Sequence, residues 1–97
     1  MIEMRVAIFE DNKLVRDALE TILNGTPGYT CCGAFSDGSN CIEKINRCRP
    51  DVVLMDIEMP GPNGIETTRT LSSEFPELKI VIQTVFNDSD KIFDALC

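Results

Sequence analysis

A doubly wound α/β fold built on a parallel sheet is predicted for this 97-residue chain, on three observations. Short apolar runs alternate with segments of helical periodicity along the whole chain, the β-α-β-α order of a sheet with helices on both faces. The apolar runs are nearly continuous, as strands covered on both faces require. Acidic or hydroxyl residues close three of them, and in open α/β sheets the site lies beyond the carboxyl ends of the strands.

The elements follow in order. Met4–Phe9 is the first apolar run and stops at the acidic pair Glu10–Asp11. From Asn12 to Asn24, Leu14, Val15, Ala18, Leu19, Ile22 and Leu23 recur at helical spacing; Asp11 or Asn12 can cap the start, and Gly25 stands where a left-handed C-cap is expected. Tyr29–Phe35 reads as a second strand interrupted by Gly33, and Ser36–Ser39 as a turn. Cys41, Ile42, Ile45 and Cys48 form the apolar face of a helix from about Ser39 to Cys48, which Pro50 ends. The third strand is Asp51–Asp56, and Pro60, Gly61 and Pro62 make Ile57–Asn63 a loop. Ile65, Thr68, Leu71 and Phe75 mark a helix from Gly64 to Phe75 that Pro76 breaks. Leu78–Thr84 is the fourth strand, and Asn87–Cys97 begins a further helix with Ile92, Phe93 and Leu96 as its apolar face.

Composition narrows the functions. Nine basic residues against sixteen acidic ones leave a net charge of −7, which repels a phosphate backbone, so DNA binding by this chain alone is not expected. The absence of histidine removes the usual general base and the commonest zinc ligand. No apolar run approaches the roughly 20 residues that span a bilayer, so no membrane is expected to be a partner. The five cysteines, Cys31, Cys32, Cys41, Cys48 and Cys97, show no zinc-like spacing; neighbours in a strand point to opposite faces, so Cys31 and Cys32 are poor partners for each other. They read as reduced thiols filling core space in a cytoplasmic protein.

Chemistry gathers at the strand ends. Glu10 and Asp11 end the first strand, Asp56 the third and Thr84 the fourth. One acid at such a position can simply cap a helix. Three together on adjacent buried strands repel one another and raise one another's pKa values, which a divalent cation would relieve. All-oxygen ligands favour Mg2+ over a transition metal.

With those residues in place, the chain resembles the receiver domain of bacterial two-component response regulators. The resemblance runs along the whole sequence; VVLMDIEMPGPNG is its most specific part, and the run FEDN most resembles receivers attached to helix-turn-helix transcription factors. It implies a flavodoxin-like strand order 2-1-3-4. Asp56 is then the phospho-acceptor, with Pro60 four and Gly64 eight residues on; Glu10 and Asp11 are the Mg2+-holding pair, Glu58 lends a backbone carbonyl to the metal, and Thr84 is the switch hydroxyl. The implied function is a phosphoryl-accepting module, not an enzyme in its own right, that takes its phosphoryl group from a sensor histidine kinase and acts on DNA through an output domain this chain lacks.

The match departs from the family in three places. Glu10 stands where many members have Asp, and Val85 follows Thr84 where a small residue is common. The family pattern also continues into a fifth strand bearing a lysine and a fifth helix, so residues 1–97 read as one incomplete receiver domain. Its fourth strand then becomes an exposed edge, and self-association is expected through that edge or by exchange of the Asn87–Cys97 helix. Two other readings compete: a receiver-like dimerisation or binding module that is not phosphorylated, and a phosphatase of the haloacid-dehalogenase type. The second lacks the Asp-x-Asp pattern, since Glu58 stands two residues after Asp56.

Overall fold

The computed structural model describes residues 3–83 of the chain. Strands β1 (Met4–Phe9), β2 (Tyr29–Phe35), β3 (Val52–Asp56) and β4 (Lys79–Gln83) form one parallel sheet in the order β2-β1-β3-β4, with helices α1 (Lys13–Asn24), α2 (Cys41–Cys48) and α3 (Gly64–Glu74) as the crossovers. This is the predicted doubly wound fold. The helix expected at Asn87–Cys97 and the end of the fourth strand at Thr84 lie outside the described residues. No helix among the described residues is long and apolar enough to cross a membrane.

Alternation along the central strands divides the sheet into two faces. Ala7, Phe9, Val53 and Met55 point to one face and are sealed by Cys41, Ile45 and Cys48 of α2 and Leu71 of α3. Phe9 and Phe35 pack there with ring centroids 5.1 Å apart and the rings tilted by 42°. Burying side chains of this size contributes about 2–3 kcal/mol each, and among the described residues most of the buried ones lie on this face. The other face, covered by α1, is thinner. Val6 and Ile8 are buried beneath it, yet α1 itself has no fully buried residue, and Leu14 and Ile22 are 82% and 62% exposed.

Local chemistry sets the helix ends. The Asn12 side chain accepts from the backbone N–H groups of Leu14 and Val15, so Asn12 caps α1 and Asp11 is left available. Gly25 corrects an expectation: it is right-handed (φ −88°), not a left-handed cap. The helix closes through Gly25 N–H to the Thr21 carbonyl and Thr26 Oγ1 to the Ile22 carbonyl, and the left-handed turn falls three residues later at Gly28 (φ 90°). Helix α2 starts two residues later than predicted because Asn40 is itself left-handed (φ 50°).

The cysteines differ from the expectation of reduced thiols. Cys32 and Cys48 form a disulfide, while Cys31 and Cys41 are free. The physical reason lies in β2. Val6 pairs with Cys31 and Ala7 with Gly33, so Cys32 is the extra residue of a β-bulge, and its side chain packs towards α2. Cys48 closes the apolar face of α2 and meets it with a Cα–Cα separation of 5.6 Å, a normal bridging distance. Cys31 faces the other way, towards Glu20 of α1, as strand alternation requires.

Candidate functional site

The ends of β1 and β3 are neighbours, since Phe9 pairs with Met55. The next residues of both strands, Glu10 and Asp56, therefore emerge side by side. Carboxylate oxygens of Glu10, Asp11 and Asp56 all lie within 4.8 Å of one another. Glu10 and Asp56 are 2% and 6% exposed, whereas Asp11 is open to solvent.

Backbone donors tether this cluster. The Asn12 N–H donates to Glu10 Oε2 at 3.1 Å, and the Glu58 N–H donates to Asp56 Oδ1 at 3.2 Å. Glu10 Oε1 is buried with no hydrogen-bond partner. Two ionised carboxylates are both acceptors and cannot satisfy each other without a shared proton or a cation. Burial, followed by the neighbouring Asp56 carboxylate, pushes the Glu10 pKa from 4.5 up to about 7. Burial likewise raises the Asp56 pKa. These are the shifts that crowded, desolvated acids must show. The oxygen-only donor set and the orphaned Glu10 Oε1 both fit a hard divalent cation such as Mg2+.

Gly64 lets the start of α3 close against the end of β3. The Gly64 N–H donates to the Ile57 carbonyl at 2.9 Å, and a Cβ at position 64 would collide with the Asp56 carbonyl and stand 2.7 Å from Ile57 Cα. Asn63 caps α3 by accepting from the Glu66 N–H at 2.9 Å, which fixes how that helix begins beside β3. Glu58 has its side chain exposed and outside the carboxylate cluster; its backbone adjoins Asp56. Thr84 lies outside the described residues. A cavity of about 640 Å³ opens elsewhere, between Ile45, Arg49, Asp51, Phe75 and Leu78, and contains none of the predicted site residues.

Sequence reasoning missed two parts of this arrangement. One is the Asn12 N–H on Glu10. The other is Arg16, whose Nη1 donates to the Glu10 carbonyl at 2.8 Å and the Asp11 carbonyl at 3.3 Å. A signal was present, because a cation in the first turn of a helix opposes the helix dipole and asks for a reason.

A parallel 2-1-3-4 sheet with an acidic cluster at its carboxyl edge defines a doubly wound α/β domain whose candidate site lies at the strand ends, and comparison narrows the class. The model of the response regulator receiver domain matches residues 6–97, so the chain belongs to that family. It is 35% identical over 94 residues to the uncharacterized transcriptional regulatory protein YxjL of Bacillus subtilis, covering 97% of this chain and 43% of that protein. It is 36% identical over 83 residues to a protein-glutamate methylesterase/protein-glutamine glutaminase of Pyrococcus abyssi, covering 86% of this chain and 23% of that protein. Among solved structures, the response regulator domain of Thermotoga maritima CheB superposes with a TM-score of 0.79 at 28% identity, covering 97% of this chain and 71% of that one. The chain thus spans less than half the length of these curated relatives.

Proposed function

We propose that residues 1–97 act as one phospho-accepting receiver module, with Asp56 as acceptor, that switches an output domain governing transcription. The observation that carries this reading is the placement of Asp56: buried at the end of β3 and within 4.8 Å of the carboxylates of Glu10 and Asp11, with a glycine that lets the start of α3 close against its backbone. The Glu58 N–H holds Asp56 Oδ1, leaving Oδ2 as the nucleophilic oxygen. A bond forms from that oxygen to phosphorus as the bond from phosphorus to the imidazole nitrogen of a sensor histidine kinase breaks, and the electron pair leaves with the imidazole. The product is an acyl phosphate, which water later hydrolyses. Mg2+ held by Asp11, Glu10, Asp56 and the Glu58 carbonyl would supply the positive charge that such crowded oxygens require. The chain itself supplies the nucleophile, the orientation and the near-exclusion of solvent around Asp56. Thr84 is assigned the switch hydroxyl on its match to the family pattern, and the added charge of the phosphoryl group is what would draw it inward. Such a module turns over no substrate apart from its own phosphoryl group.

The test is phosphorylation from a small-molecule donor such as acetyl phosphate with Mg2+, followed by intact mass. One phosphoryl group per chain is expected, with none on Asp56→Asn. Labelling that persists in the variant would place the chemistry on another residue, and no labelling of the wild type would favour a binding module that is never phosphorylated.

Association of the chain with itself is supported by apolar exposure. Val81 and Ile82 on β4 are 50% and 43% exposed, which is unusual for a run this apolar. Self-association through this strand, or by exchange of the 87–97 segment, should appear in sedimentation as a dimer or larger species, while a monomer at high concentration would remove both routes.

A further inference from the structure

Helix α1 breaks a local rule at its start. The first turn of a helix favours acidic side chains and disfavours cations, because unpaired N–H groups leave that end positive. Helix α1 has no acidic residue in its first turn and instead carries Lys13 and Arg16. Lys13 is accounted for by an ion pair with Asp17 at 2.6 Å. Arg16 takes part in none of the ion pairs among the described residues. Half-buried, it turns back and donates to two successive backbone carbonyls, those of Glu10 and Asp11.

The segment it grips is the one that carries the two β1-end acids. Its other attachments are Glu10 N–H to the Phe35 carbonyl at 2.9 Å and Asn12 N–H to Glu10 Oε2. Without Arg16, the peptide plane between Asp11 and Asn12 has no other hydrogen bond to its carbonyl among the described residues. The guanidinium is spent on the carbonyls, on the backbone side of the turn. It forms no ion pair with the carboxylates, where it would compete with a cation for the same oxygens.

We propose that Arg16 is a positioning residue, which preorganises the Glu10–Asp11 turn for a divalent cation by fixing its two peptide carbonyls. This inference rests on reading the acidic cluster as a cation site. Its logic is that of a metal site whose outer partners hold the ligands in place, and loss of such a partner commonly costs 10- to 100-fold in affinity. The sign of the effect separates positioning from charge. If Arg16 acted through its charge, removing it would relieve repulsion of the metal and tighten binding. If it positions the turn, removing it must weaken binding. Mg2+ should suffer more than Ca2+, because Mg2+ demands near-ideal octahedral geometry while Ca2+ accepts an irregular shell.

The experiment is titration of the 97-residue chain with Mg2+ and, separately, Ca2+ by calorimetry. Wild type, Arg16→Gln, Arg16→Lys and Lys13→Gln are compared, with the metal-free melting curve recorded for each. Arg16→Gln is expected to weaken Mg2+ by about tenfold and Ca2+ by less. Arg16→Lys, which keeps one donor, should recover part of the loss, and Lys13→Gln should leave affinity unchanged or slightly tighter. Equal or tighter Mg2+ binding in Arg16→Gln would overturn the proposal. So would a parallel loss of both metals accompanied by a lowered melting point and no recovery in Arg16→Lys, since that is the signature of general unfolding. Failure of the wild type to bind Mg2+ would overturn the cation-site reading, and this inference with it, and is distinguishable because no variant is needed to see it.

Discussion

The two ends of the sheet are built to opposite standards. At the amino ends of the strands, polar groups are matched. The Arg5 guanidinium donates to the Cys48 carbonyl at 2.7 Å and the Arg49 carbonyl at 3.3 Å, satisfying the end of α2. Asp51 accepts from the Arg5 N–H at 2.8 Å and returns its own N–H to the Arg5 carbonyl at 2.7 Å. The Cys32–Cys48 disulfide fastens the end of α2 to β2. At the carboxyl ends, two buried acids crowd a third, one buried oxygen has no partner, and two pKa values are raised. The difference teaches which end serves stability and which serves chemistry. Thr68 Oγ1 on α3 is also buried without a partner, but only at the carboxyl ends does an unpartnered oxygen coincide with crowded acids and raised pKa values, and that combination marks a site that expects a ligand.

Breaking the stable end should give the larger effect. Reducing the disulfide opens a loop with a sequence separation of 16 residues, and closure of a loop that size is worth about 3 kcal/mol. Urea unfolding with and without reductant, with thiol alkylation to confirm the pairing, should show a loss of that order. Mg2+ affinity should stay unchanged, because Cys48 belongs to the opposite end of the sheet from Asp56. A matching loss of metal affinity would mean that the two ends are coupled. If alkylation found Cys32 and Cys48 free in the untreated protein, the stable end would owe its strength to Arg5 and the core alone.

Relieving the crowded end should have a smaller effect of opposite sign. Glu10→Gln keeps the shape and removes one of the competing acids. In metal-free buffer at neutral pH it should raise stability by about 1 kcal/mol, the scale of one pKa unit. With Mg2+ present the wild type should recover the advantage, because ligand binding to the folded state adds stability by mass action. A destabilised metal-free Glu10→Gln would show that the Glu10 carboxylate serves the fold.

The carboxyl-end half of this contrast could be read from the sequence, for a physical reason; the amino-end half, with its Arg5–Asp51 pairing and its disulfide, could not. Continuous apolar runs specify buried strands, and β1 and β2 have the boundaries that periodicity predicts. Glu10, Asp11 and Asp56 were legible because acids seldom end adjacent buried strands without a task. Three features were harder to see. The bulge that turns Cys32 towards Cys48 depends on the pairing register of β1 and β2, which a single strand does not encode. Arg16 shows in the sequence only as a misplaced first-turn cation; that it holds the Glu10 and Asp11 carbonyls emerges when its hydrogen bonds are traced. The exposure of Leu14 and Ile22 contradicts the apolar pattern of α1 because that pattern reports what a helix can bury, not what lies against it.

The central claim, that the strand-end acids hold protons in place of a cation, has a definite pH signature. The folded pKa of Glu10, about 7, lies above its ordinary value of 4.5. Between those values the folded state binds more protons than the unfolded state, so metal-free stability must fall as pH rises through that window. Mg2+ needs the ionised carboxylate, so its binding must expel the proton. The decisive measurement is the number of protons released per Mg2+ bound, obtained from calorimetric titrations in two buffers of different ionisation enthalpy across pH 5.5 to 8.5. We predict substantial release near pH 6, fading above about pH 8 as Glu10 is already ionised, and strongly reduced in Glu10→Gln. Magnesium binding without proton release, or release that is unchanged in Glu10→Gln, would contradict the account.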